Sequence, residues 1–558
     1  MRTNKTITVI LTSLILAVNV NAQLTNKLIT TAAHWNYQIL GGELRNSAAT
    51  SVNDIDEVLP RMKALGLNTV LVPVYWEFLE SAEGQMDFTL VDRTIDVARQ
   101  QGLKIVPLWF GAWKNSMSCY VPAWFKRDVR RFPRAVTAEG KPLEIASCFS
   151  DNVLQADLKA FSALMQHIAE KDPQREVVIM MQIENEIGML ESARDHSPLA
   201  NKAYKQPVPR VLAKALNIEK QGTWSEVFGT DDYADEKFMA WHYACYVEHL
   251  AQAARRIHNM PLYVNAAMNS RGRKPGEYPS AGPLAHLANI WKAGAPSIDI
   301  LAPDIYDTGF KSWASQYAMP LRPQDGGKIK NRLFIPESRC CENSGVRALY
   351  AFGEHQALGF SPFAIDQASP KETESVTRAY NLLSQVFKVK QQNTWGLLFD
   401  KDDKERIIDD DGVVMTCRHY YTLPWDPRAT DGSTWPEGGA MLIRIGKYEY
   451  LLAGSGVVID FKTRREKQQE RLRVDLGIQK KQLGEDGFAE AGTASQSTVS
   501  KFTGSRLGLL SVDEVTIDQQ GHMLFLRRHN GDQSHQGRHA RISIGDWKIL
   551  HIQLYEYR

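Results

Sequence analysis

The sequence carries almost no net charge. Its 66 Lys and Arg residues nearly balance 64 Asp and Glu residues, which leaves a formal charge of +2 at pH 7. Proteins that bind nucleic acid or an anionic membrane surface usually carry a basic excess, and this composition gives no reason to expect either partner. We therefore expect a ligand that is uncharged or weakly charged.

Long apolar runs are also scarce. Beyond the amino-terminal segment, no stretch approaches the roughly 18 apolar residues of a membrane-spanning helix. The one apolar stretch near the start, Ile7 to Val18, follows Arg2 and Lys5 and precedes Val20-Asn-Ala22. This is the pattern of a cleaved secretory signal peptide. The sequence thus predicts a signal peptide at residues 1–22, no membrane span, and a mature protein that is periplasmic or secreted.

Cysteines are few, and no metal-ligand spacing is present. The six cysteines include no C-x-x-C pair and form no Cys/His cluster. His535 and His539 are four residues apart, but Gly537 between them favours a loop over a ligand-bearing helix. In an exported protein a disulfide between Cys119 and Cys148 could close a loop. We expect no metal and no cofactor.

The chain is long enough for two domains. Up to residue 388, short apolar runs alternate with segments in which apolar residues recur every three or four positions, which indicates alternating strands and helices. Eight strands are predicted, at Tyr37 to Gly41, Thr69 to Val74, Lys104 to Trp109, Val177 to Ile183, Leu262 to Ala267, Ile298 to Ala302, Arg332 to Pro336 and Phe360 to Ile365. This number predicts a (β/α)8 TIM barrel over residues 23–388. A doubly wound open sheet is the alternative, and it would be expected to show a G-x-G-x-x-G turn that Gly41-Gly42 does not open.

From about Lys390 the pattern changes to an all-β region. Short β-rich runs are separated by Gly, Asp and Asn, at Ala440 to Ile445, Glu449 to Ala453, Val457 to Phe461, Met523 to Arg527 and Lys548 to Tyr557. They predict a β-sandwich accessory domain over residues 389–558, with a supporting or substrate-shaping role. The acid-rich segment Asp400 to Gly412 is interpreted as a solvated turn because its spacing does not match a calcium loop.

Two acidic side chains follow apolar strands. The run Val177 to Met181 leads into Glu184 and Glu186, and Leu333-Phe-Ile-Pro leads into Glu337. Barrel enzymes carry their chemistry at the carboxyl ends of the strands, so Glu186 and Glu337 are predicted to face one mouth as general acid and nucleophile. The alternative is that each Glu only caps a helix or pairs with an Arg.

Further polar and aromatic residues lie near these strand ends. Asn185 could bond a sugar 2-hydroxyl, a contact that strengthens in the transition state. Tyr306, which ends the sixth predicted strand, is placed to donate to Glu337 and keep it ionised. Trp113 lies in an aromatic loop after the third strand, where a ring could either stack on a sugar or pack within the loop, while packing is favoured for Trp124.

The segment Gln182-Ile-Glu184-Asn185-Glu186-Ile-Gly188 resembles the Gln-Ile-Glu-Asn-Glu-Tyr-Gly motif of family 35 glycoside hydrolases, retaining β-galactosidases of clan A. Two further stretches agree, Leu40-Gly41-Gly42-Glu43-Leu44 and the segment from Trp76 to Phe88. The resemblance covers the barrel and implies that Glu186 is the acid/base, with Glu184 in a supporting role. It also implies an exo-acting enzyme that needs no cofactor.

The sequence departs from that family where the sugar is held. Its Ala-Glu-Trp motif is replaced here by Gly111-Ala112-Trp113, so a sugar-contacting Glu is missing, and Lys114 and Asn115 could replace it because both donate hydrogen bonds. Tyr75 is a possible substitute for a family Tyr near the second strand, and Arg45 stands where His is usual. These changes leave the hydrolytic machinery intact and bear on sugar specificity.

The sequence and this resemblance together predict a retaining exo-β-galactosidase that removes terminal galactose from plant oligo- or polysaccharides. Xyloglucan fragments are the leading substrate, which only the resemblance to a bacterial branch of the family implies. One alternative is the same mechanism on another sugar, a β-glucoside or an α-L-arabinoside. A second is a carbohydrate-binding protein without catalysis. Oligomeric state is left open.

Overall fold

The computed structural model describes residues 37–306, 308–318, 331–423, 435–475 and 504–558. The predicted signal peptide lies outside the described residues, so cleavage and export stay predictions. None of the helices in the described ranges is long and apolar enough to cross a membrane. All six cysteines are unbridged, so the suggested disulfide between Cys119 and Cys148 is not formed.

Eight parallel strands form a closed barrel, and the predicted (β/α)8 fold is confirmed. The order around the barrel is β1-β8-β7-β6-β5-β4-β3-β2, so each strand lies beside its neighbours in the chain. The strands are Ile39–Glu43 (β1), Thr69–Tyr75 (β2), Lys104–Phe110 (β3), Met181–Gln182 (β4), Leu262–Ala267 (β5), Ile300–Ile305 (β6), Phe334–Ser338 (β7) and Gly359–Pro362 (β8).

A helix follows each strand, in the βα alternation that the apolar periodicity indicated. These helices are Val52–Ala64 (α1), Thr89–Gln101 (α2), Asp151–Lys171 (α3), Asp232–Ile257 (α4), Ala288–Gly294 (α5), Phe310–Ala318 (α6), Ser344–His355 (α7) and Pro370–Val386 (α8). Local chemistry sets their starts. Ser150 caps α3 by accepting from the Val153 amide, and Ser369 with Glu372 forms a capping box on α8.

Strand β4 is much shorter than the predicted Val177 to Ile183. The start of the predicted run meets β3 only in an isolated bridge between Ile105 and Val178. The Asp172 carboxylate also accepts from the backbone N–H groups of Val177 and Val178, both at 2.8 Å. Strand β1 also begins two residues later than predicted, whereas β5 matches the prediction at both ends.

Antiparallel sheets follow the barrel, as expected of a sandwich domain. One sheet has six strands in the order β9-β12-β13-β18-β15-β16, and the other has four in the order β10-β11-β14-β17. Their bounds are Asn393–Phe399 (β9), Glu405–Asp410 (β10), Val413–His419 (β11), Gly438–Gly446 (β12), Glu449–Ser455 (β13), Val457–Thr463 (β14), Arg506–Ile517 (β15), Met523–Arg528 (β16), Ala540–Ile542 (β17) and Lys548–Tyr557 (β18).

The interpretation of Asp400 to Gly412 as a solvated turn is wrong over half of its length. Strand β10 lies within it and pairs along its whole length with β11. Its acidic residues are accommodated because Asp410 pairs with Arg444 at 3.0 Å and Asp409 with Arg464 at 2.7 Å. The acid-rich composition therefore concealed a strand whose charges are neutralised by later elements.

Helix α7 packs directly on the six-stranded sheet. A Cβ added at Gly353 of α7 would lie 2.7 Å from the Trp395 carbonyl oxygen, and one at Gly439 would lie 2.9 Å from Val346 Cβ. These glycines let the helix and β9 and β12 approach at backbone distance. Arg347 on the same helix forms a two-pronged ion pair with Glu437, at 2.7 and 2.8 Å.

Candidate active site

Glu186 lies in the turn that follows β4. Its backbone is left-handed, with φ of 46°, as is that of Glu184, with φ of 57°, a conformation that non-glycine residues rarely adopt. Two backbone contacts hold it there. The Glu186 amide donates to Asn265 Oδ1 at 3.0 Å, and its carbonyl accepts from the Ser116 amide at 3.1 Å. The carboxyl group is thus fixed by a loop conformation rather than by a strand.

The loop after β3 interlocks with this turn. The Asn115 amide N–H donates to the Asn185 carbonyl at 3.1 Å, and Asn185 N–H donates to the Trp113 carbonyl at 3.2 Å. Side chains repeat the pattern, since Lys114 Nζ donates to Asn185 Oδ1 at 2.9 Å and Asn115 Nδ2 donates to Glu186 Oε2. Lys114 and Asn115, which were predicted to contact the sugar in place of a missing Glu, instead bond Asn185 and Glu186.

Behind the turn, Glu184 points into the barrel wall. Its carboxyl group accepts from the Trp113 amide at 2.7 Å and from the Ala112 amide at 3.3 Å. It also bonds Asp157 of α3, which accepts from Trp109 Nε1 at 2.8 Å and from Tyr246 Oη at 2.7 Å. Burial raises the pKa of Glu184 well above its usual range, with the Asp157 charge as the second cause.

Glu337 belongs to β7 itself and is buried. The contact predicted for Tyr306 is present, because its hydroxyl donates to Glu337 Oε2 at 2.6 Å. Burial, and then the Glu337 charge, raises the pKa of Tyr306 well above its usual value, so this hydroxyl stays protonated and able to donate. Asp304, the register partner of Glu337 on β6, is buried beside it.

Three of these carboxylates are close together. One oxygen from each of Glu186, Asp304 and Glu337 lies within 4.8 Å of the other two. A grouping of acids alone suits a hard divalent cation, but it also matches the separation of about 5 to 5.5 Å between acid and nucleophile in retaining glycosidases. The second use requires no ligand beyond the substrate.

The remaining predicted residues lie in different surroundings. Trp113 is fully buried against Tyr243 and Tyr246. Its ring therefore packs within the protein, and the prediction that it contacts the sugar is wrong. Tyr75 is buried at the end of β2 in an aromatic cluster. Arg45 remains half-exposed and pairs with Asp366 at 3.3 Å.

Trp124 packs as predicted. Its ring lies against Trp76 and Phe132, and its Nε1 donates to the Glu80 carbonyl at 2.9 Å.

Three polar residues that shape the site are not among the predicted ones. Asn265 and Asp304 are polar positions inside apolar strands, and that contrast is the signal that identifies them in the sequence. Asp157 lies on the apolar face of α3, between Val153 and Ala160, where a charge is unusual.

A family model described as β-galactosidase, of glycoside hydrolase family 42, matches residues 47–235. The matched segment spans β2 to β4 and includes Glu186. This match is to family 42, a clan A family, and not to family 35, which the sequence resembles and which is not shown. Residues 376–541 match a domain of unknown function, DUF5597.

No curated protein matches the sequence significantly. Similar solved structures include β-galactosidases from the psychrophilic Marinomonas ef1 (13% identity, TM-score 0.43, 62% of this chain and 59% of that chain) and from G. stearothermophilus, a family 42 enzyme (15%, 0.45, 63% and 57%). The catalytic domain of a β-amylase from Paenibacillus polymyxa is another (12%, 0.44, 62% and 97%). This chain spans less than two thirds of the length of the two β-galactosidases.

Proposed function

We propose that the protein is a glycoside hydrolase, a retaining exo-β-galactosidase with Glu186 as acid/base and Glu337 as nucleophile. The observation that carries the proposal is the spacing of their carboxylate oxygens, within 4.8 Å, at the ends of two barrel strands. This limit on the closest oxygens favours a covalent glycosyl intermediate over inversion, in which the two carboxyl groups lie about 6.5 to 9.5 Å apart to admit a water.

In the first step the protonated Glu186 donates its proton to the glycosidic oxygen. Glu337 attacks the anomeric carbon, the bond to the leaving group breaks, and a glycosyl ester forms on Glu337. In the second step the ionised Glu186 removes a proton from water, which attacks the same carbon and releases both the sugar and Glu337. Tyr306, which donates to Glu337 Oε2, orients the attacking carboxylate.

Galactose as the sugar is supported by the match of residues 47–235 to a family of β-galactosidases. Terminal galactose of plant oligo- or polysaccharides, xyloglucan fragments among them, remains the proposed substrate, and export is proposed on the amino-terminal sequence alone. A specific observation favours a second candidate, the same mechanism on a β-glucoside or an α-L-arabinoside. Lys114 and Asn115 already bond Asn185 and Glu186, so the hydroxyl contacts of the sugar differ from those expected.

The test compares hydrolysis of aryl β-galactoside, β-glucoside and α-L-arabinoside by wild type, Glu337→Gln and the control Glu374→Gln on the exposed face of α8. We expect the galactoside to be the best substrate and the Glu337 variant to lose at least roughly a thousandfold in kcat, while the control stays at wild-type rate. Hydrolysis of only the β-glucoside or the α-L-arabinoside would keep the mechanism and assign the specificity to that sugar instead of galactose. No turnover, with sugar binding that survives loss of both acids, would support the non-catalytic alternative.

A further inference from the structure

Two carboxyl groups that the reaction does not use lie buried behind the acid/base turn. Glu184 and Asp157 are both fully shielded from solvent, and their side chains share a hydrogen bond. Two carboxylates in contact in an apolar wall cannot both be charged, and a hydrogen bond between them requires one proton. The partners around each carboxyl group decide which of the two residues carries that proton.

Burial raises the pKa of Asp157, but hydrogen-bond donors around it oppose that rise and favour an ionised carboxylate. Trp109 Nε1 donates to Oδ1 at 2.8 Å and Tyr246 Oη donates to Oδ2 at 2.7 Å. An indole N–H can only donate, and a carboxylate that receives several donors is stabilised in its charged form. The bond from Glu184 brings a third donor to the same group.

The surroundings of Glu184 indicate that it carries the proton and donates it in the hydrogen bond to Asp157. Both of its oxygens face backbone N–H groups, of Trp113 at 2.7 Å and Ala112 at 3.3 Å, and its remaining partner, Asp157, only accepts when ionised. Gly111 preserves the space, because a Cβ there would lie 2.8 Å from Glu184 Oε1. The absence of a side chain at residue 111 is therefore part of the arrangement.

We propose that Glu184 and Asp157 hold one shared proton, carried by Glu184, and that this pair positions the turn that presents Asn185 and Glu186. Glu184 ties the turn to the 112–113 backbone on one side and to α3 through Asp157 on the other. Both are positioning residues, since neither is assigned a contact with substrate. The catalytic consequence rests on the proposed function, but the protonation state does not.

The first test uses Glu184→Gln, which mimics a neutral acid. Its amide N–H₂ can donate to Asp157 while its oxygen accepts from Trp113, so we expect kcat within about threefold of wild type. Asp157→Asn removes the charge on which three donors converge. We expect it to lower kcat by roughly a hundredfold with little change in KM, because the substitution misplaces the acid/base turn and leaves the groups that bind the substrate unaltered.

The second test measures unfolding against pH and needs no activity. Because the pKa of Glu184 is raised on folding, the folded protein holds a proton that the unfolded chain releases above about pH 4.5, so this group lowers stability increasingly as pH rises. Glu184→Gln removes that penalty. We expect its Tm to exceed that of wild type, by a margin that grows between about pH 5 and pH 8 to roughly 2 °C.

The neighbouring titratable groups Tyr246 and Cys148 do not contribute to the expected pH dependence of Tm. Burial raises the pKa values of Tyr246 and Cys148 well above their ordinary ranges, so neither titrates in that window. Glu374→Gln, at an exposed site, serves as control and should show a Tm difference that does not depend on pH.

The outcomes separate the two proposals. If wild type turns over no glycoside, the proposed function fails while the Tm comparison still tests the pair. If Glu184→Gln is less stable than wild type at every pH, or loses as much activity as Asp157→Asn, the shared proton on Glu184 is wrong. Should Asp157→Asn not fold, the pH trend of Glu184→Gln decides alone.

Discussion

Glu186 and Glu337 are held in different ways. Glu337 is a member of β7, with regular strand geometry and a register partner on β6. Glu186 lies beyond the end of β4, in a left-handed backbone conformation, and is held by contacts from the 114–116 loop and from Asn265 on β5. One acid is therefore placed by the sheet and the other by interlocked loops.

The difference matches what each group must do in the proposed reaction. A nucleophile approaches one carbon along one line, which a rigid strand defines well. An acid/base must reach the leaving oxygen in one step and a water in the next. Two loops that are hydrogen-bonded to each other can position the Glu186 carboxyl group without making its residue part of a β-sheet.

The largest expected effects come from replacing Glu186 and Glu337. These variants test whether the first is the acid/base and the second the nucleophile. Glu186→Ala and Glu337→Ala should each lose roughly a thousandfold or more in kcat. Azide added to the Glu186 variant attacks the glycosyl ester and should give the β-glycosyl azide. In the Glu337 variant azide takes the vacant nucleophile position and should give the α-glycosyl azide from an activated aryl glycoside. Products of the same configuration, identified by NMR, would contradict the assignment.

A smaller loss of kcat is expected when the hydrogen bond to Glu337, the acid on strand β7, is removed. Tyr306→Phe removes the hydroxyl that donates to Glu337 Oε2, and loss of one such preorganised donor should lower kcat by about a hundredfold. Pre-steady-state kinetics should show the loss in formation of the glycosyl enzyme. The matched control is Tyr233→Phe, an exposed ring on α4, and an equal loss there would show a general effect of the substitution.

The smallest effect is expected on the loop side. Asn265→Ala removes the oxygen that accepts from the Glu186 amide, and because the interlocked 114–116 loop remains, we expect about a tenfold loss in kcat/KM. Asn269→Ala, in the segment after β5, should leave the rate unchanged. A thousandfold loss in the Asn265 variant would mean that this one strand residue, and not the loop pair, sets the position of Glu186.

The sheet side was also the easier side to predict. Apolar runs ending in Glu337 and Tyr306 identified both residues, because strand periodicity and strand ends are local properties of sequence. The bonds from Lys114 and Asn115 join loops about 71 residues apart in the chain, and no local pattern encodes such a contact. Trp113 was left undecided for the same reason, since the rings that bury it lie on α4.

The close packing of the α7 backbone on β9 and β12 affects whether the barrel can fold without the sheets that follow it. A cut at residue 388, where the sequence pattern changes, would strip Gly353 and Arg347 of their partners on the sheets and leave that side of the helix bare. The match to the DUF5597 model likewise begins at residue 376, inside α8. We therefore expect residues 37–388 not to fold when produced without the sheets that follow, so a domain exchange would have to keep the barrel and the six-stranded sheet together.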